Sequence, residues 1–571
     1  MVSSKGRTWL YVGITSFKGK ISLTFLLLLF AAPCFAAGGA CPSGAVYTME
    51  NSASLNTLAS YGVTSCYYVS KSIGSDSSYD GTQETVSGSH GPFAHLPGMP
   101  SCTNNCAALK PAAGEGFILR GGDTWTASDL GIVWQWNGSS SSPIYIGVDQ
   151  SWYSGSSWAR PIFTCGGSAA ATGCSNSAGG SWAQTQVWGT YVTVDNIEFT
   201  GLYMLSTGSY PVSAVQLGQP HAELENSYAH GWYRDTGSGG DDVQLFNTYT
   251  GGGATQMVGT SIHNNVVDGY DSYLAGVYTG VGVDGGGASI YNNVVRYVFN
   301  GLNGPFDSLT GNLIEHIDFS ASSGAHCNGI YNKGAVSTPT GMVVANNVIR
   351  DSSAPGCVVT YLDAEPCSTC VTYFYNNVYY NWPGIDFPMV TAGGDGNNGG
   401  TFYYYNDTIS TDGPYCVGNG YIGGSMNTAY YANMHCISSN SGTLSICGGA
   451  SATCTDNAPG HSRLETLTSA NSNGYCEPGV GGCTATWPFA PSSGSSPTVG
   501  LGANETSQVS TFGAAFAYDT TLAVGYNSTN HTVIIPGRTS NGRPSSVAWN
   551  AGAYMNAASL NPPTGLTAVV K

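Results

Sequence analysis

Charge is what this chain has least of. Across 571 residues, 16 are Lys or Arg and 33 are Asp or Glu, so charged side chains make up 9% of the sequence. Between Lys110 and Lys571 the one lysine is Lys333. So few cations exclude a nucleic-acid-binding role, which needs Lys and Arg against phosphates. Disorder is excluded as well, because 42% of residues are hydrophobic, 12% are aromatic and 80 are glycine. That balance suits many short strands joined by tight turns.

The sequence also lacks a second long apolar run. The first lies near the start, where Lys5, Arg7, Lys18 and Lys20 precede Ile21 to Ala32, followed by Cys34-Phe35-Ala36. This is the pattern of a secretory signal over residues 1–36. The run is short for a membrane span of about 20 residues, which weighs against a retained anchor. Neither Cys34 nor Cys41 has the preceding leucine of a lipoprotein signal. The expected product is secreted or held at the cell surface, with no membrane insertion after cleavage. Without the signal, 12 basic residues face 33 acidic ones, a formal charge of −21. That field repels nucleic acids and anionic membranes, and disfavours strongly anionic polysaccharides unless Ca²⁺ bridges acid to acid.

Sixteen of the 17 cysteines follow the signal. An even number in an exported chain points to disulfides. Cys102/Cys106, Cys165/Cys174, Cys367/Cys370, Cys447/Cys454 and Cys476/Cys483 are close neighbours in sequence. Cys41/Cys66, Cys327/Cys357 and Cys416/Cys436 would complete eight local bridges, although spacing alone does not fix connectivity. Zinc is the competing use for Cys367 and Cys370, and export favours the disulfide.

One phrase recurs: an apolar strand, one or two Asn, then another short apolar stretch. It occurs around Asn196, Asn265, Asn293, Asn347 and Asn377, with weaker copies at Asn226, Asn312, Asn406 and Asn433. Successive markers are 30, 39, 28, 19, 35, 30, 29 and 27 positions apart. Such spacing predicts coils of fixed cross-section with loops of varying length, stacked because no coil buries its own apolar face. The Asn is expected to take a left-handed corner and to bond the Asn of the next coil. A β-propeller would need about four strands in 40 or more residues per repeat, longer than these intervals.

Both ends of the mature chain match a known pattern. Tyr67-Tyr-Val-Ser, Gly74-Ser-Asp-Ser, Asp80-Gly-Thr, Gly91-Pro-Phe and Phe117-Ile-Leu-Arg-Gly-Gly-Asp123 resemble the opening of secreted bacterial β-helix proteins of the pectate-lyase-like superfamily. Gly542-Arg-Pro and Trp549-Asn-Ala-Gly-Ala-Tyr554 are similar to the closing motif of the same proteins. The resemblance implies an all-β, right-handed, single-stranded parallel β-helix. It divides the chain into a signal (1–36), an N-terminal cap and first coil (37–115), the helix (116–445), C-terminal coils and cap (446–555) and a tail (556–571). The tail, from Asn561, resembles the start of a fibronectin-like module that the chain does not complete.

Polysaccharide lyases of this superfamily remove the proton beside a uronate carboxylate, using a base and a cation that stabilises the enolate-like intermediate. Lys333 at a strand end, with Arg350 one coil later, is similar to chondroitinase-B-type and alginate lyases, and to calcium-dependent lyases with a lysine base. The resemblance makes Lys333 the base, Arg350 the helper at the leaving group and His326 a further catalytic candidate. Glu315, Asp318, Asp351, Asp363 and Glu365 lie nearby in sequence. Asp318, Asp363 and Glu365 are the candidate Ca²⁺ ligands, since a same-face acid pair supplies hard oxygen donors. Tyr375, Tyr380, Trp382 and Tyr404 are candidates for stacking on sugar faces. Asp241-Asp242 invites comparison with the acid–base pairs of polygalacturonases, but that family's other motifs are missing.

These features point to a lyase acting on a polysaccharide or cell-surface glycan, with its groove around residues 315–405. The alternatives are a non-catalytic surface protein (adhesin, glycan-binding module or filament element, for which self-association is open) and a glycoside hydrolase on the same fold.

Overall fold

A computed structural model of the chain describes residues 38–43, 56–166, 174, 182–204, 212–234, 243–248, 257–274, 280–284, 286–304, 306–317, 328–333, 341–352, 358–363, 371–382, 390–392, 401–419, 428–440, 442, 444–449 and 453–555. They belong to one unit over 38–571. Almost every strand in it pairs with the strand one coil away, and in parallel. One coil shows the path: Val192–Asp195 lies in a first sheet, Glu198–Thr200 in a second and Val212–Leu217 in a third. The chain then re-enters the first sheet at Glu223–Glu225, with Glu223 in register with Thr193. Repetition gives sheets of 13, 12 and 11 strands among the described residues. This is a parallel β-helix.

Alternation puts every second side chain inside. Along the first sheet the inward row runs Val194, Leu224, Ile262, Ile290, Leu309, Val344, Phe374 and Tyr404, all buried. Each inward side chain of this size contributes about 1.5–3 kcal/mol on burial. Neighbours above and below complete that burial, so a single coil has no core of its own.

The corner between the first and second sheets separates two jobs that the sequence appeared to give to one Asn. The left-handed position holds Asn196, Asn226, Asn264, Asn292, Gly311, Asn346, Asn376, Asn406 and Asn433, with positive φ throughout. Gly311 fits because a Cβ there would run into Asn292 Oδ1. The bonding ladder uses the following residue. Asn265 Nδ2 donates to Asn293 Oδ1 at 3.1 Å, Asn293 to Asn312 at 3.1 Å, Asn312 to Asn347 at 3.0 Å and Asn347 to Asn377 at 3.0 Å. Asn196, Asn226, Asn406 and Asn433 are therefore corner residues, and Ile197, Ser227, Asp407 and Met434 take their ladder places. The shortest step, Asn292 to Gly311, is 19 residues and still holds a strand in each sheet.

Six of the expected disulfides are present: Cys41–Cys66, Cys102–Cys106, Cys165–Cys174, Cys416–Cys436, Cys447–Cys454 and Cys476–Cys483. Cys327, Cys357, Cys367 and Cys370 lie outside the described residues, as does the signal segment. No described helix is long and apolar enough to cross a membrane.

After its last coil strand, Arg463–Thr466, the chain turns back along the outside of the solenoid. Ala553 N–H donates to Thr408 Oγ1 at 2.9 Å, Val524 N–H to Gly311 O at 3.1 Å and Arg160 Nη2 to His531 O at 3.1 Å. This return strap ties late coils to early ones.

Candidate functional site

The three sheets differ in what covers their outer faces. The strap packs Phe489, Leu522, Val524 and Val533 on the second sheet, and Phe512, Phe516 and Trp549 on the late strands of the first. The N-terminal Leu58 and Val63 cover the early strands of the first sheet. None of these apolar clusters contains a residue of the third sheet.

On the third sheet, Gln186, Gln216, Asn247, Asp284, Asn303, Tyr331, Tyr361 and Thr391 occupy one register row. Val187 and Leu217, the next residues along, lie in the core, so alternation turns Gln186 and Gln216 outward. Asn303 keeps a buried Oδ1 with no hydrogen-bond partner among the described residues. Two positions beyond Tyr331 and Tyr361, Lys333 is in register with Asp363, at the ends of Asn328–Lys333 and Val358–Asp363. Adjacent strands lie about 4.8 Å apart, so the backbone sets this lysine position beside an acid position.

Arg350 does not join that pair. Its strand, Val348–Arg350, is in the second sheet. The 17 residues from Lys333 to Arg350 carry the chain through the first sheet and around the corner. Arg350 Nε and Nη2 donate to Glu315 Oε2 at 3.0 and 2.8 Å, and Nη1 to the Tyr380 hydroxyl at 2.9 Å. It is one member of an in-register stripe of alternating charge: His230, Asp268, Arg296, Glu315, Arg350, ending in Tyr380. Arg296 Nη1 lies 3.3 Å from Glu315, and the strap's Tyr526 hydroxyl donates to Asp268 at 2.6 Å. This network fastens the strap and engages Arg350 with Glu315 and Tyr380 on the second sheet, away from the Lys333 strand.

The expected sugar platform is buried. Tyr375, Tyr380, Trp382 and Tyr404 are 3%, 2%, 3% and 0% exposed. Tyr404 points inward and stacks on Phe374 at 4.9 Å between ring centres, and Trp382 belongs to the same core. Tyr375 points outward but meets Phe516 at 5.4 Å, and Tyr380 meets Phe489 at 5.6 Å. The strap, invisible to strand alternation, accounts for both. Half-buried Tyr373, Tyr403 and Tyr430 stack on one another at 5.4 and 5.1 Å, which hides their ring faces. His326, Asp318, Glu365, Asp241 and Asp242 lie outside the described residues.

Two acid–imidazole groups place one donor atom from each of three residues within 4.8 Å of one another: Glu315, His316 and Asp351, and Glu223, Glu225 and His263. The first is a poor cation site, because Arg296 and Arg350 already neutralise Glu315 and Arg350 also reaches Asp351 at 3.3 Å. The second lies on the first sheet, where His263 Nε2 is 2.7 Å from Glu223 and 3.8 Å from Glu225. Beside it, burial and the Glu223 charge push the Asp195 carboxyl up to about 6, against hydrogen bonds from Tyr145, Asn226 and Asn196. One nitrogen and two carboxylates suit a transition metal better than Ca²⁺, which takes oxygen donors. Attention to Lys333 passed over this group. Its signal was the alternation Glu223-Leu224-Glu225 with His263 one coil on.

No family model matches the chain, and no curated protein does. Among solved structures, the chain is similar to pectate lyase Pel9A (14% identity, 87% of this chain and 98% of that one, TM-score 0.43). It is also similar to the GH136 lacto-N-biosidase of Eubacterium ramulus (12% identity, 70% and 67% of the two chains, TM-score 0.38). A third is the PL6 family polysaccharide lyase Pedsa3628 of Pseudopedobacter saltans (12% identity, 62% and 91%, TM-score 0.32). The coiled architecture of this chain stands on its own strand pairing.

Proposed function

We propose that this protein is an extracellular polysaccharide lyase whose substrate lies across the outer face of the third sheet, with Lys333 as the base. The observation that carries this reading is the in-register placement of the Lys333 and Asp363 positions on neighbouring strands of the third sheet, which contributes no residue to the apolar clusters beneath the terminal segments among the described residues. Gln186 and Asn303, half-buried in the outward row of the same sheet, carry amides of the kind that bond sugar hydroxyls. In the reaction the lysine nitrogen takes the proton beside the uronate carboxylate. The glycosidic oxygen then leaves, and the electron pair becomes a carbon–carbon double bond. A lysine base acts in its neutral form, so the rate is expected to rise towards alkaline pH. Asp318, Asp363 and Glu365 remain the proposed Ca²⁺ ligands.

The pairing of Arg350 with Glu315 favours a second reading, a glycan-binding surface without chemistry, because it withdraws the expected leaving-group helper. One experiment separates them. The protein is incubated with uronate polysaccharides, with and without Ca²⁺, while the ultraviolet absorbance of unsaturated products and the yield of new reducing ends are followed. Unsaturated products that vanish in Lys333→Ala support the lyase. Reducing ends alone indicate hydrolysis. Retained polysaccharide binding with neither signal leaves the binding surface.

A further inference from the structure

At the corner where the second sheet gives way to the third, the late coils and the strap enclose a cavity of about 650 Å³. Its solenoid wall carries Asn381 and Asp412, and its strap wall carries Asn471, Glu477, Thr484 and Phe489. The Cys476–Cys483 disulfide closes a loop of the strap over one side. Val480, in that loop, is 56% exposed although apolar.

We infer that this cavity binds a short neutral saccharide. Its size lies within the roughly 300–1,000 Å³ of small-molecule sites. Two carboxylates, two carboxamides and five hydroxyls line it, which are the groups that hydrogen-bond vicinal sugar hydroxyls. Phe489 and Val480 offer apolar surface to the carbon face of a ring. Among the described residues, neither lysine nor arginine lines the cavity. Asp412 and Glu477 therefore repel uronates, phosphates and other anions, and the site selects against the charged part of an acidic polysaccharide. Burial and the nearby Asp351 raise the Glu477 carboxyl, against the Arg350 charge. The loop's disulfide limits the conformational entropy lost when a ligand is enclosed. The inference stands apart from the elimination chemistry, since it uses none of Lys333, Asp363 or the third-sheet row.

The test is isothermal titration of the full-length mature protein with neutral tetrasaccharides of β-linked glucose, xylose and galactose, and with a uronate tetrasaccharide. Asn471→Trp, a bulky change at an exposed helix position, fills the cavity from one wall, and Glu477→Gln removes a charge while keeping a hydrogen-bonding group. At least one neutral sugar is expected to bind at least tenfold more tightly than the uronate. Asn471→Trp is expected to weaken that binding at least tenfold, with an unchanged unfolding midpoint and unchanged turnover in the Lys333 assay. Glu477→Gln is expected to keep the neutral sugar and to gain affinity for the uronate. Absence of heat with every neutral sugar, equal affinity for the uronate, or full binding by a folded Asn471→Trp would overturn the inference. Failure of the Lys333 assay alone would leave it standing.

Discussion

Asn377 gives both its backbone N–H, at 2.7 Å, and its carboxamide N–H, at 3.1 Å, to one oxygen, Oδ1 of Asp407. Asp407 thus ends the amide ladder as a carboxyl. Its other oxygen is buried with no hydrogen-bond partner among the described residues, and burial pushes the group up to about 8 against the two Asn377 bonds. The next ladder position holds Met434, which has no amide to offer.

The sign of the pH effect follows. A carboxyl whose folded value is raised stabilises the fold fully at pH below the ordinary carboxylate range, and that stability is lost as pH climbs through about 8. Asp407→Asn removes the ionisation while keeping both acceptor bonds. Denaturant midpoints measured from pH 4 to 9 should show the variant about 1–2 kcal/mol more stable at pH 9 and little changed at pH 4. Parallel curves for the two proteins would show that Asp407 stays neutral or finds another partner.

Lys333 and Arg350 should separate activity from stability. Glu315 is 3% exposed, so Arg350→Ala leaves a buried carboxylate with Arg296 as its remaining cation and should cost about 1–2 kcal/mol. Lys333→Ala should cost less than about 0.5 kcal/mol and abolish unsaturated product. Chemical denaturation alongside the product assay checks both, and the reverse assignment would move the chemistry to the second sheet.

His230 predicts a second pH window. Burial opposes its charge, but hydrogen bonds to Asp271 at 2.7 Å and Glu198 at 3.1 Å win and raise the imidazole to about 9. The stability it supplies is complete below about 6.5 and is lost as pH rises through about 9. His230→Gln should flatten the stability profile between those limits. Because His531 of the strap and His230 both stack on Tyr228 at 4.3 Å, hydrogen exchange of the strap should quicken over the same range. A strap that exchanges independently of pH would contradict this coupling.

Cys416 and Cys436 join the third sheet of one coil to the second sheet of the next, 20 residues on. Replacing both with Ser should lower stability by roughly 3 kcal/mol through the entropy of the unfolded chain. Unfolding of oxidised, reduced and doubly substituted protein measures it, and identical midpoints would show that packing alone holds the last coils.

The coils were legible because their causes are local. Strand alternation, corner Asn and the near-constant step are each written within one repeat, and they carried the β-helix and six of its bridges. The two jobs of the Asn phrase were not legible, since Asn-Asn places corner and ladder residues side by side and either fits the pattern. The buried aromatics failed for a different reason. Tyr375 and Tyr380 do point outward, but the strap that covers them comes from residues more than 100 positions later. Arg350 is also a matter of reach: a step of 17 residues is too short for a full coil, so it changes sheet. Lys333 and Asp363 are a full coil apart, and it is the strand register that brings their positions together.

The 19-residue step from Asn292 to Gly311 measures every other coil. It shows how little chain a rung requires once three short strands and two corners are in place. Whatever longer coils carry beyond that length is cargo on a chassis, added without disturbing the register of the rungs on either side. Loops of this solenoid are therefore interchangeable parts. A chimaera that trades the chain between two third-sheet strands should keep its rungs while changing what the protein grips.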